Sequence, residues 1–226
     1  MSRTSDGKDV STDYSYAADE PGNSWMRARH ILNPVSQKTV RTGTQLQGEE
    51  YVYGQSEYGV PYVRTMCKTN NYHKQTMYSV SRVDEYGNPV ELEEQGMPVV
   101  LLWGGKGQRI IARIENASYD AVAQSLFPLD IFSFKDLEQI NYKSLEDVRH
   151  FFPEAHFYIY KYTPEMQLES ETSPGGLTTF YKYDYLGKLR ESYFMENNEK
   201  KILKIYDYHF YNSDKEDITI QIEDAL

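Results

Sequence analysis

Residues 181–194 read YKYDYLGKLRESYF. Three tyrosines surround one aspartate, and a glycine and two bases follow, so the stretch belongs either to an acid-bearing site or to a chain reversal. Asp at the first position and Gly at the fourth favour a type I turn, in which the carboxylate accepts backbone N–H bonds and Gly takes the left-handed conformation. Such a turn followed by a left-handed residue closes a three-residue hairpin with a G1 bulge. This places Asp184 opposite Lys188, Tyr183 opposite Leu189 and Tyr181 opposite Glu191. Strand alternation then puts Tyr181, Tyr183, Leu189 and Tyr193 on one face, and Lys182, Asp184, Lys188 and Arg190 on the other. Asp184 and Gly187 are turn residues on this account.

A second copy lies upstream. VSRVDEYGNPVEL at 80–92 aligns with FYKYDYLGKLRES at 180–192, so Asp84 and Gly87 occupy the same turn positions. Pro89 falls where Leu189 does and lacks a backbone donor, which predicts a bent or edge strand there. The rest of the first half is a succession of short β-like runs broken by Gly, Asn and Pro: STDYSYA, SWMRARHIL, EEYVYG, PYVRTMC, KQTMYSVSRV, MPVVLLW and QRIIARIE. Short runs with frequent turn signals predict antiparallel hairpins. The period changes at Ser118, where SYDAVAQSLF, SFKDLEQI and KSLEDVRHFF space their apolar residues three and four apart. Ser133 with Asp136, and Ser144 with Asp147, have capping-box spacing. The expected fold is therefore mainly β, an antiparallel sheet of consecutive hairpins forming a single domain over 1–226. A short helical insert is expected at about 118–152. After Pro153 the β pattern returns as AHFYIYKYT, MQLESE, LTTFYKYD, KLRESYF and KKILKIYDYHFY, with EDITIQIE as a last strand. Residues 1–10 and 223–226 are expected to fray.

Composition narrows the function classes. Of 226 residues 39% are apolar even with Tyr counted, while 21 are tyrosine. Tyrosine must carry much of the burial, which suits pleated, half-buried sheet surfaces. The chain has 24 Lys plus Arg against 34 Asp plus Glu, a formal charge of −10, with no basic cluster to serve as a phosphate footprint, so nucleic acid is not an expected partner. Its longest apolar run, MPVVLLW at 97–103, is far short of the ~20 residues of a membrane helix. The first twenty residues lack the apolar core and cleavage site of a secretory signal. Cys67 is the lone cysteine, so no internal disulfide forms.

With Tyr181, Tyr183, Asp184, Gly187, Lys188 and Leu189 in place, the sequence resembles bacterial RHS/YD-repeat proteins, whose repeat core is Y-x-Y-D-x-x-G-R-L. Lys188 stands where the family has Arg. The order of DEYGNP at 84–89, LLWGGKGQRIIARIENASYDAV at 101–122, and LTTFYKYDYLGKLRESYF running into KIYDYHFYN further resembles RHS-like segments of large Bacteroidetes cell-envelope proteins. The resemblance implies hairpins joined side by side and a structural module with no catalytic residues. Its expected partners are protein chains or neighbouring RHS repeats, at the cell surface or secreted if the chain is part of a longer exported one. These repeats are too few to close a shell, so a compact β fold is expected.

Other candidate sites weigh less. WGGKGQ at 103–108 lacks the Ser or Thr of a phosphate loop and precedes a β-like run, which favours a hairpin turn. The histidines His30, His73, His150, His156 and His209 are scattered, so no metal and no cofactor is expected. Cys67 reads as a structural thiol, and Asn116-Ala117-Ser118 as a chance sequon with Ser118 capping a helix. The carboxylate pairs Glu49 with Glu50 and Glu93 with Glu94 define a hydrolase alternative, but neighbours on a strand point to opposite faces. Tyrosine stripes remain: Tyr158, Tyr160 and Tyr162 on one strand, Tyr181, Tyr183 and Tyr193 around the hairpin, and Tyr206 and Tyr208. They are expected to pack against neighbouring strands or the helical insert, with stacking on carbohydrate as the alternative use.

Overall fold

The computed structural model describes residues 2–3, 9–126 and 142–208. Among these, fourteen strands are hydrogen-bonded strictly in chain order, each neighbour antiparallel where its register is resolved. They are β1 (Ser2–Arg3), β2 (Asp9–Tyr16), β3 (Val35–Thr42), β4 (Gln45–Gln55), β5 (Pro61–Asn70), β6 (His73–Val83), β7 (Pro89–Glu94) and β8 (Met97–Gly104). β9 (Arg109–Glu115), β10 (His156–Tyr162), β11 (Leu168–Thr172), β12 (Thr178–Tyr183), β13 (Leu189–Glu196) and β14 (Glu199–Ile205) follow. The fold is mainly β, as the hairpin signals predict. The chain divides into two compact units, Met1–Leu101 with Asn116–Val122, and Leu102–Glu115 with Ala123–Leu226.

In the first unit, two kinds of reversal alternate. Two-residue turns join β3 to β4 at 43–44, β5 to β6 at 71–72 and β7 to β8 at 95–96. Gln95 and Gly96 have φ of 52° and 89°, the paired positive values whose twist matches the flanking strands. Longer loops join β4 to β5 and β6 to β7, and these are built on side-chain capture. Asp84 Oδ1 accepts the Tyr86 and Asn88 N–H groups at 2.9 and 2.8 Å, while Oδ2 takes the Asn88 side-chain amide at 3.1 Å. Ser56 performs the same task with its hydroxyl, accepting the Val60 N–H at 3.0 Å. Gly87, at φ 84°, is also spatially constrained, because a Cβ there would sit 2.7 Å from Val60 of the neighbouring loop.

The second unit repeats the device. Asp184 Oδ1 accepts the Leu186 and Lys188 N–H groups, both at 2.9 Å, and Gly187 sits at φ 77°. Thr163 holds Gln167 N–H at 3.4 Å, and Met166 rather than Gly takes the left-handed place at φ 67°. The β11–β12 loop is closed by backbone bonds, Ser173 N–H to the Leu177 carbonyl and Gly176 N–H to the Ser173 carbonyl, both at 2.9 Å, a pair that Asp184 and Gly187 also make. Between β13 and β14, Asn197 and Asn198 form the two-residue turn with φ of 50° and 64°. In WGGKGQ, Gly105, Lys106 and Gly107 all have positive φ and Gln108 N–H returns to the Gly104 carbonyl, a turn between β8 and β9.

One register expectation needs correcting. Tyr183 does face Leu189, but Lys182 faces Glu191 and Tyr181 faces Ser192, because Arg190 is an extra residue in β13. The Arg190 carbonyl is still satisfied, accepting Tyr206 N–H at 2.8 Å. The bulge recurs: after the pairs Val83 with Pro89 and Tyr162 with Leu168, Val90 and Glu169 are the corresponding extra residues. A bulge placed after the loop bends and twists the strand locally. It also reassigns the faces, so Tyr193 pairs with Phe180 and lies on the Lys182 side, away from Tyr181 and Tyr183.

Helical elements differ in part from expectation. SWMRARHIL is not a strand: α1 (Ser24–Ala28) forms after a 3₁₀ turn at Ala17–Asp19. It buries Met26 against Ala17 and Ala18, with Trp25, Ile31 and Tyr53 packed around them, so local apolar burial outweighs the β-like run. VSQKTVRT, too polar to signal a strand, is β3 because β2 and β4 hydrogen-bond it on both sides. Pro89 opens β7, an interior strand rather than an edge, and two register shifts bend its pairing with β6. In the expected insert, α2 (Tyr119–Ser125) and α3 (Tyr142–Val148) are helical, followed by a 3₁₀ turn at Arg149–Phe151. Ser144 lies inside α3 rather than at its start. The Ser133 and Asp136 pair, His209 and the EDITIQIE strand lie outside the described residues.

The loop aspartates differ in burial and partners, so their removal should differ too. Asp84 is buried and accepts three bonds; Asp184 is half-buried and accepts two. Asp84→Ala should lower unfolding free energy by about 2 kcal/mol and Asp184→Ala by about 1 kcal/mol, read from urea denaturation.

Candidate functional site

The tyrosines of the second unit form two distinct surfaces. On one, Tyr160 of β10 faces Glu171 of β11, which faces Thr179 of β12, and Tyr181 and Tyr183 continue that side of β12. All are half-buried. Three hydroxyls on this side are engaged: Tyr162 donates to the Ile110 carbonyl at 3.0 Å, Tyr183 to the Leu168 carbonyl at 2.8 Å, and Tyr181 to Glu171 Oε2 at 3.4 Å. Tyr162 and Tyr183 each stand immediately before a loop-forming residue, Thr163 and Asp184, and each ties its strand back to the preceding one. In the first unit Tyr53, three residues before Ser56, likewise ties β4 back to β3 by donating to the Val35 carbonyl at 3.0 Å.

Burial pushes the Tyr160 phenol up to about 12, and the Glu171 carboxylate adds to the rise. Burial also raises Tyr162, Tyr181 and Tyr183, with Arg109 opposing the rise at Tyr162. Tyr51, Tyr53 and Tyr78 of the first unit are raised by burial as well.

The opposite surface of β12–β14 carries Phe180 stacked on Tyr193, with ring centroids 5.3 Å apart. Lys182 and Lys200 stand over the Tyr193 ring, 5.3 and 4.5 Å from its centroid. Both lysines also pair with Glu191, and the hydrogen bond from Lys200, followed by that from Lys182, holds the Glu191 carboxyl below its usual range. Lys188 covers Tyr208 at 5.2 Å, while Lys204, the register partner of Ser192 and so on the Tyr181 side, covers Tyr206 at 5.2 Å. An ammonium over a ring occupies the face that a sugar would use. Tyr193, Tyr206 and Tyr208 are therefore cation-covered, while Tyr158, Tyr160, Tyr162, Tyr181 and Tyr183 are wedged side by side in the sheet.

β10 turns its other side inward, where Phe157 and Ile159 are almost fully buried, as are Leu145 and Val148 of α3. Arg149 fastens the adjoining 3₁₀ turn by donating to the Phe157 and Ser173 carbonyls at 3.5 and 3.2 Å. In the first unit, Arg82 bridges Glu91 and Asp120 and lies 4.5 Å from the Tyr119 ring centroid, pinning the start of α2.

Remaining candidates are placed as follows. Glu49 accepts the Tyr51 hydroxyl at 3.1 Å, whereas its neighbour Glu50 takes Lys74 at 2.7 Å on the other side of the strand. Cys67 is buried, its sulfur 3.7 Å from Thr76 Oγ1. Ser118 Oγ accepts Ala121 N–H at 3.4 Å, at the head of α2. Among the described residues, no three His, Cys, Asp or Glu side chains are grouped to hold a metal ion, and no helix is long and apolar enough to cross a membrane.

No family model matches the chain, and no curated protein does. Among solved structures, the crystal structure of TcdB2-TccC3-TEV is similar at 10% identity and a TM-score of 0.41, over 78% of this chain and 8% of that one.

Two predictions test the bracing role. Tyr183→Phe removes only the bond to Leu168 and should cost about 1 kcal/mol in urea denaturation. Because folding raises these phenol pKa values, the folded state holds protons that the unfolded chain releases above pH ~10. Stability should hold below that pH and fall as pH rises toward 12, with the urea midpoint dropping alongside phenolate absorbance.

Proposed function

We propose that the chain is a non-enzymatic structural or interaction module of a bacterial envelope or secreted protein of RHS/YD type. It would offer hairpin edges and adjoining tyrosine-rich surface to a protein chain or to neighbouring RHS repeats. The Y-x-Y-D-x-x-G-K-L core and the ordered segments around it support the family assignment and, through it, the localisation. One observation carries the interaction reading. Among the described residues β14 pairs with β13 alone, and the terminal pair exposes Met195, Ile202 and Ile205 on the side that carries Tyr193. Such an apolar edge is a template for a further strand. The carbohydrate alternative loses support at Tyr193, Tyr206 and Tyr208, whose ring faces are covered by lysines.

Sedimentation velocity across a wide concentration range tests the edge with a second copy of the chain as the probe. Self-association is expected, and Ile202→Lys with Ile205→Lys should abolish it while leaving the far-ultraviolet dichroism unchanged. A chain that stays monomeric throughout, or a double variant that associates as the parent does, would refute the use of this edge.

A further inference from the structure

Five loops, 56–60, 84–88, 163–167, 173–177 and 184–188, close with one backbone pattern: the first N–H donates to the fifth carbonyl and the fourth N–H to the first carbonyl. In four of them the first side chain also accepts the fifth N–H, and the two aspartates accept the third as well. The 173–177 loop, Ser-Pro-Gly-Gly-Leu, breaks this rule. Among the described residues no side chain accepts the N–H of Gly175 or Leu177, although Ser173 stands at the capturing position. Gly176 keeps the left-handed place at φ 85°, so the loop retains the concave backbone in which Asp84 and Asp184 each place an oxygen. Its third position is also bare: Gly175 stands where the other loops carry Tyr58, Tyr86, Glu165 and Leu186. A Cβ on Gly175 would have only Ser173 Oγ near it, at 4.0 Å.

A cation is delivered to the same loop. Arg149 donates Nη2 to the Ser173 carbonyl at 3.2 Å, and its Nη1 lies 3.7 Å from where a Cβ on Gly176 would stand. Its Nε is buried without a hydrogen-bond partner, and among the described residues no carboxylate lies within ion-pair distance of the guanidinium. A half-buried charge without a counter-charge is costly to keep.

We propose that the 173–177 loop, together with Arg149, is a binding site for a carboxylate of a partner chain. The oxygen that Asp84 and Asp184 supply from within comes here from outside. The Gly175 and Leu177 N–H groups donate to one carboxylate oxygen, as those of Tyr86 and Asn88 donate to Asp84 Oδ1, and the guanidinium supplies the opposing charge. An ammonium or an uncharged apolar group would leave both the N–H pair and Arg149 unmatched. Leu177 is exposed, as is Phe151 two residues after Arg149, which favours a carboxylate carried beside an apolar group. Capture of a carboxylate in a backbone concavity is a recurring mode of peptide recognition. The proposal rests on the interaction reading only for the source of the carboxylate, and the loop is not part of the β14 edge.

Titration of the isotope-labelled chain with N-acetyl-leucinate, followed by amide chemical shifts, tests the site, with N-acetyl-leucinamide and inorganic phosphate as comparison ligands. Saturable shifts are expected at Gly175 and Leu177, while the aspartate-filled loops at 84–88 and 184–188 stay silent. The leucinamide should give no saturation at these amides, because it lacks the charge. Arg149→Gln should weaken binding about ten-fold. Ser173→Asp supplies the internal carboxylate of the neighbouring loops, so it should abolish binding and raise the urea midpoint, which separates lost binding from lost folding. No saturable shift at Gly175 and Leu177, equal binding of the leucinamide, tighter binding of phosphate than of the leucinate, or a Ser173→Asp variant that binds as the parent does would each overturn the proposal. A chain that binds the leucinate yet stays monomeric would keep this site and remove only the use of the β14 edge.

Discussion

The sheet depends on one repeated act of capture, a side-chain oxygen at the first position of a loop accepting the backbone N–H four residues on. Asp84 and Asp184 do this with carboxylates, Ser56 and Thr163 with hydroxyls. The bond closes the loop and presets a left-handed residue at its fourth position. In three of these hairpins a bulge follows at the same offset. Neighbouring loops then interlock: Gly87 leaves room for Val60, and Gln167 donates its amide to the Gly187 carbonyl at 3.0 Å. A larger residue at either glycine would disturb two loops together.

Tyrosine supplies what the thin apolar inventory does not. A ring wedged between strands excludes water from a pleated surface, and its hydroxyl ends on a backbone carbonyl of the preceding strand. Tyr53, Tyr162 and Tyr183 all use this geometry. Where the rings turn to the other side of β12–β14, lysines lie on them and tie them to Glu191. Fully buried aliphatic residues stand elsewhere, Val99 and Val100 in the first unit and Ile111 and Ala112 in the second.

Much of this was legible in local sequence, and the rest was lost for definite reasons. The Asp84 and Asp184 loops were readable because Asp-x-x-Gly specifies both the acceptor and the left-handed residue. The Ser56 and Thr163 loops were not, since a hydroxyl replaces the carboxylate and, at Met166, a side chain tolerates the glycine position. Arg190 gives no sign of being an extra residue, because bulges are fixed by pairing on both sides, and this alone moved Tyr193 to the other face. α1 was hidden because the helix is only five residues long, too short to show a helical period inside the β-like run SWMRARHIL.

Strict chain-order pairing has a kinetic consequence. Nearly every strand meets the one just made, so contacts are local and loop-closure costs are small. The sheet can grow hairpin by hairpin as the chain emerges, in the manner of a one-dimensional array. The widest departure from this rule is at β9, which must wait for β10 while residues 116–155 are synthesised. Closing that span costs about 2 kcal/mol more than closing a four-residue loop. A nascent chain should therefore pause there as a half-built sheet with β9 as its temporary edge.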